Sequence, residues 1–157
     1  MLTGKKIVLG VSGGIAAYKM ANVASMLSKL HADIHVVMTE NATHFITPET
    51  FEVLTGNHCY TDTFDRCMEL HVPHIALGTQ ADAILIAPAS ADVVGKIANG
   101  IADDMLTTCV LPATCPVMLA PSMNVHMYEN PIVQDNMKKL VSYGSVSYTH
   151  LTLPTTE

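Results

Sequence analysis

The sequence predicts an α/β protein built as a three-layer, doubly wound parallel sheet, Rossmann-like in outline, and three observations carry that expectation. Short β-branched apolar runs alternate with segments of helical period along the chain. The strand-like runs are apolar at consecutive positions rather than at every second one, the pattern of strands buried on both faces. Each run stops abruptly on a cluster of Gly, Ser, Thr or Pro, where sheets of this kind place their loops. The 157 residues, 49% of them hydrophobic, suit one domain that buries roughly two-thirds of the surface of its unfolded chain. Ten Met and no Trp fit an aliphatic interior with adaptable packing.

In chain order, Lys6–Val11 reads as a strand that meets Ser12-Gly13-Gly14, followed by a helical pattern from Ala16 to Leu30 with Ala16, Met20, Val23, Ala24 and Leu27 on one face. Asp33–Met38 is a second strand closing at Thr39, and Pro48–Leu54 a short helix opened by its proline. Ala83–Ala87 is a third strand running into Pro88. Ala91–Asn99 and Met105–Leu111 have helical patterns, Val117–Ala120 is a fourth strand, and Pro131–Tyr143 is a closing amphipathic helix carrying Ile132, Met137, Leu140 and Val141.

Composition removes several function classes. The formal charge is −6 with no Lys/Arg run, so a basic stripe for nucleic acid is absent and a bound phosphate must rely on backbone amides. The first apolar stretch, about five residues before Ser12, is too short for a signal sequence or a membrane span. The expectation is a cytoplasmic protein with no membrane or nucleic-acid partner. Cys59, Cys67, Cys109 and Cys115 form no Cys-x-x-Cys pair and read as ordinary thiols.

In doubly wound sheets, ligands bind beyond the carboxyl ends of the strands. Four informative clusters fall there: Ser12–Ile15, Thr39, Pro88–Ala91 and Pro121–Asn124. The first lacks dinucleotide spacing, since Gly10-Val-Ser-Gly13-Gly14-Ile continues into Ala16-Ala17, and it lacks the Lys-Ser/Thr of a nucleotide P-loop. A mononucleotide fits better, with Ser12, Gly13, Gly14 and Ile15 letting one phosphate approach the start of the following helix. A tight turn is the plainer reading of the same glycines. His71 and His74 have no third partner and Pro73 intervenes, so no metal site is expected.

These clusters together resemble the homo-oligomeric flavin-containing cysteine decarboxylase family, and within it the phosphopantothenoylcysteine decarboxylase domain of bacterial bifunctional coenzyme A biosynthesis flavoproteins. The matching stretches are His74-Ile75 before a strand, Pro88-Ala-Ser-Ala-Asp92-Val93, and Pro121-Ser-Met-Asn-Val-His-Met127. Ile97–Thr107 also resembles the family segment near the flavin at a subunit interface. The likeness covers roughly residues 3 to 144.

The resemblance implies an FMN-dependent carboxy-lyase that converts 4′-phospho-N-pantothenoylcysteine to 4′-phosphopantetheine in a homotrimer or an oligomer of trimers. His74 would be the base, an imidazole changing charge near neutral pH; a satisfied core or capping histidine is the bland alternative. Asn124 and Met127 would meet the substrate, against the alternatives of a turn-forming Asn and a core Met. FMN would be held by Ser12, Gly13, Gly14, Ile15, Thr39, Phe45, Pro88, Ala89, Ser90 and Ala91. The hydroxyls of Ser90 and Thr39 read equally as a helix N-cap and a strand-end cap.

Asp92 stands where many relatives have Asn, and Tyr128 where many have Trp; both favour the coenzyme A branch over peptide modification. The family continues into another strand and a flap bearing Ala-Cys-Gly-Asp, whereas Ser145–Glu157 is rich in Ser and Thr. The expected organisation is a decarboxylase domain at 1–144, C-terminally truncated and so impaired in turnover, with a non-native or disordered tail at 145–157 and no fused phosphopantothenate-cysteine ligase domain. Flavin prenyl transfer and non-catalytic FMN binding are the rival readings.

Overall fold

A computed structural model describes residues 1–64 and 73–147 of the chain. Its centre is a parallel five-stranded sheet in the order β2-β1-β3-β4-β5, formed by β1 (Lys6–Val11), β2 (Asp33–Met38), β3 (Ala83–Ala89), β4 (Val117–Pro121) and β5 (Val146–Ser147). The first connection runs to one side of β1 and the later ones to the other, so the strand order reverses at β1 and the loops after β1 and β3 flank that point.

The two faces of the sheet are apolar for the reason anticipated, because neighbouring strand residues point opposite ways. Leu9, Ile34, Val36 and Met38 pack on one face with Ala24 of α1 (Met20–Lys29) and Phe51 of α2 (Pro48–Thr55). Val8, Ile84, Ile86 and Leu119 pack on the other with α3 (Pro73–Gln80), α4 (Ala91–Ala98), α5 (Met105–Val110) and α7 (Pro131–Ser142), through Leu77, Val94, Leu106 and Leu140. The short α6 (Val125–Tyr128) leads into α7.

Three features depart from the expected elements. The helix expected over Ala16–Leu30 begins as a 3₁₀ segment, Ile15–Lys19, and becomes α-helical only at Met20. Helix α3 was not foreseen; Gly78 in its middle weakens the helical signal, yet a Cβ there would meet the Cys109 carbonyl oxygen at 2.1 Å. Glycine thus lets α3 lie directly against α5. Beyond residue 144, Val146 and Ser147 add a short fifth strand paired with Met118 and Leu119. No described helix is long and apolar enough to cross a membrane. Cys59, Cys109 and Cys115 are free thiols, and Cys67 lies outside the described residues.

Candidate functional site

Ser12, the residue after β1, is fully buried. Its backbone N–H donates to the Pro88 carbonyl at 3.3 Å, its hydroxyl donates to the same carbonyl, and its Oγ accepts the Ser90 N–H at 2.9 Å. One side chain therefore ties the loop after β1 to the loop after β3. Its hydroxyl is committed inside the protein, so what Ser12 gives a ligand is the placement of its neighbours. The third loop joins the same knot: the Ser122 N–H donates to the Ala89 carbonyl at 3.0 Å, and Ala89 pairs with Pro121.

Gly13 and Gly14 differ in what surrounds them. A Cβ on Gly13 would lie 2.5 Å from Asn41 Cβ and 3.2 Å from the Asn41 carbonyl carbon, whereas one on Gly14 would meet nothing nearer than Pro88 Cγ at 3.9 Å. The protein itself needs glycine at 13 for close packing; at 14 the space beside the chain is open. Gly14 precedes the 3₁₀ turn and offers no side chain to cap it, which leaves the task of meeting the first-turn amides to a ligand or water.

Thr39 closes β2. Its N–H donates to the Val11 carbonyl at 3.0 Å and its Oγ1 accepts from the Ala42 N–H at 3.2 Å. Ser90 caps α4 by accepting from the Val93 N–H at 3.2 Å. Both hydroxyls thus perform the capping roles that the sequence left open, and both residues still line a cleft of about 660 Å³, together with Gly13, Asn41, Thr43 and Lys96. That volume lies in the range of small-molecule sites.

The cleft's electrostatics are uneven. Among the described residues, Glu40, Asp62, Asp92, Asp103 and Asp104 line it against one cation, Lys96. Lys96 Nζ stands 3.1 Å from Asp92 and 3.3 Å from Asp103, and the Asp92 hydrogen bond, opposed by burial and aided by Asp103, raises its pKa. At the Gly13–Thr39 end the donors are uncharged amides and hydroxyls.

The remaining expected residues are not among those that line the cleft. Asn124 caps α6, its Oδ1 accepting from the His126 N–H at 2.8 Å, so its Nδ2 is the group left to donate to a ligand. Ile15, Phe45 and Met127 are 52%, 46% and 49% exposed, so about half of each is left uncovered by the single chain. His74 stands in the first turn of α3. The far end of that helix is fixed by Asp82, whose N–H donates to the Lys6 carbonyl at 2.7 Å and whose Oδ2 accepts the Lys6 N–H at 2.8 Å, at the amino edge of β1. Eight residues of helix span about 12 Å, so His74 stands at the end of α3 opposite to that edge contact. His71 lies outside the described residues. Among the described residues no group of His, Cys, Asp or Glu is arranged to hold a metal. Asn41, Thr43 and Lys96 were not anticipated. The polar run after β2 was the available signal for the first two, and nothing local signals the third.

Fold and site together define a doubly wound α/β protein whose ligand cleft sits at the carboxyl edge of its sheet and is furnished for a mononucleotide. The chain belongs to the Flavoprotein family, whose model matches residues 1–155. It is 49% identical over 144 residues to the coenzyme A biosynthesis bifunctional protein CoaBC of Bacillus subtilis, a match covering 92% of this chain and 36% of that protein. It is 42% identical over 147 residues to the CoaBC of Vibrio cholerae, covering 94% of this chain and 37% of that one. The chain thus spans little more than a third of these relatives. Among solved structures, the FMN-dependent cysteine decarboxylase SpaF superposes with a TM-score of 0.87 at 36% identity, covering 94% of this chain and 85% of that one. A PPC decarboxylase mutant complexed with pantothenoylaminoethenethiol superposes with a TM-score of 0.79 at 29% identity, covering 92% and 81%.

Proposed function

We propose that residues 1–144, extended by the strand at Val146–Ser147, form an FMN-binding decarboxylase domain that acts on 4′-phospho-N-pantothenoylcysteine, a cytoplasmic step of coenzyme A biosynthesis. The observation that carries this reading is the knot of loops around Ser12: its hydroxyl bonds Pro88 and Ser90 of one stretch shared with cysteine decarboxylases, and Ser122 of a second stretch, far off in sequence, donates to Ala89 of the first. The likeness to two CoaBC proteins over more than nine-tenths of this chain supports the substrate class.

The cleft fits FMN on its own chemistry. The open space at Gly14, the uncapped start of the 3₁₀ turn and the hydroxyl-lined wall at Thr39, Thr43 and Ser90 suit one phosphate and a polar ring edge. FMN, when bound, would take two electrons from the substrate's cysteine side chain and later return them to give the thiol product, so that the bonding pair left behind by departing carbon dioxide is delocalised toward sulfur. The protein's part is to orient and to move protons. The Asn124 Nδ2 donates to the substrate carboxylate, which a carboxylate side chain at that position would repel. His74 takes the proton from the substrate, a step in which its neutral imidazole is the competent form. The half-exposed Ile15, Phe45 and Met127 are covered in a homotrimer, whose neighbouring subunit closes the cleft and excludes water.

The test is decarboxylation by purified protein supplied with FMN, followed as carbon dioxide release. His74→Asn is expected to slow release by about 10²- to 10⁴-fold with FMN still bound. Release at the parent rate refutes the assignment of His74, and no release by the parent under any FMN loading refutes the activity.

A further inference from the structure

We propose that Lys96 is a positioning residue of the cleft: by pairing with Asp103 across the cleft wall and with Asp92 on its own helix, it holds the 99–104 loop in the shape that receives the ligand. The inference rests on the reading of the cleft as an FMN site. It goes beyond that reading by assigning a role to a residue that neither the loop motifs nor the capping pattern marks.

The loop is fastened firmly at its ends and weakly in its middle. At its start the Ile101 N–H donates to the Lys96 carbonyl at 2.9 Å, and Gly100 takes a left-handed turn with φ of 71°. At its end Asp104 closes a capping box on α5, its Oδ1 accepting the Thr107 N–H at 2.8 Å while its own N–H donates to Thr107 Oγ1 at 3.2 Å. Between these points Ile101, Ala102 and Asp103 are exposed. Among the described residues, the Ala102 carbonyl accepts a long 3.5 Å bond from the Thr108 hydroxyl. Among the described residues, the side chain of Asp103 is tied to the protein through Lys96 at 3.3 Å.

Lys96 is suited to this work. Its side chain is 24% exposed while Asp92 and Asp103 are 63% and 55% exposed, so the cation is the sheltered member and the two carboxylates converge on it. The Asp92 pair spans one turn of α4, at i and i+4, and steadies the lysine from behind. The helix that bears Lys96 starts at Ser90, whose N–H is held by Ser12. The wall at Asp103 is thereby connected through α4 to the loop after β1. A cation already flanked by two carboxylates is a poor anion receptor, which argues for a fastening rather than for direct contact with a phosphate.

The experiment compares the parent with Lys96→Met, Lys96→Arg, Asp103→Asn and Asp92→Asn by amide hydrogen exchange without ligand and by FMN titration. Lys96→Met is expected to speed exchange across residues 99–104 by about tenfold and to weaken FMN binding by about tenfold, with β1 and β3 amides and the melting temperature unchanged. Asp103→Asn should reproduce this, Asp92→Asn should show a smaller part of it, and Lys96→Arg should restore the parent behaviour. Unchanged exchange in Lys96→Met overturns the proposal, as does faster exchange throughout the chain, which would mark a merely structural role. If the parent takes up no FMN, the reading of the cleft fails, and the exchange data still decide the role of Lys96.

Discussion

The contrast between Gly13 and Gly14 separates what the fold requires from what the ligand requires. An alanine methyl at 13 would stand 2.5 Å from Asn41 Cβ, close to an ångström inside ordinary contact, and the turn after β2 that carries Asn41 is part of the cleft wall. Overpacking of this size costs about 1–3 kcal/mol, and for a chain of this length each kcal/mol lowers the melting temperature by roughly 2–4 °C. Gly13→Ala should therefore melt about 2–12 °C early and bind FMN weakly because the wall has shifted. Gly14→Ala has room, with Pro88 Cγ at 3.9 Å and an extended backbone that any residue adopts. It should melt with the parent, within about 0.5 kcal/mol, yet weaken FMN by about tenfold or more, because the methyl occupies the surface that the phosphate approaches. Quenching of flavin fluorescence gives the affinity and thermal denaturation the stability. A Gly14→Ala protein that binds FMN like the parent would refute the placement of the phosphate, and a Gly13→Ala protein with parental stability would refute the packing argument.

Ser12→Ala should cost about 1–3 kcal/mol, since it strips the Pro88 carbonyl of a buried donor and the part-buried Ser90 N–H of its acceptor; denaturant unfolding will measure it, and a neutral outcome would mean that the two loops are not joined through this hydroxyl. Stability should also fall in alkali. Burial foremost, with Glu52 and Glu49 beside Cys59 and Asp104 beside Cys109, pushes both thiols from 9.0 up to about 12. Above pH 9 the unfolded chain releases thiol protons that the folded chain retains, so the stabilisation is complete below that pH and declines by about 1.4 kcal/mol per thiol per pH unit until the folded thiols titrate. Unfolding free energies that stay level above pH 9, or a slope unaltered by Cys59→Ala and Cys109→Ala together, would contradict the burial of these groups.

Much of this architecture was legible in the sequence because strands buried on both faces must be apolar throughout and must end where the loops begin. β1 and β2 match their expected bounds, and β3 runs two residues further, to Ala89, which pairs with Pro121 after a shift of register beyond Ile86. The 3₁₀ start after Gly14 was hidden, since its apolar spacing is also that of an α-helix. Helix α3 was missed because Gly78 and Thr79 dilute its signal, although that glycine is what allows the contact with α5. The second residue of β5 and its flanking Ser145 are polar, so local pattern does not mark this two-residue strand. In the site, the loops after β1, β2, β3 and β4 could be named because each is anchored to a strand end. The partners of Ser12, Asn41 and Lys96 could not, because each interaction joins segments that local pattern does not connect.

The bound chromophore is the most direct test of the FMN site. Purified protein should be yellow, with flavin absorbance in the blue and near ultraviolet, and gentle denaturation should release FMN in proportion to the folded chain. A protein that is folded by circular dichroism, colourless as isolated and unable to take up added FMN would contradict the assignment of the cleft.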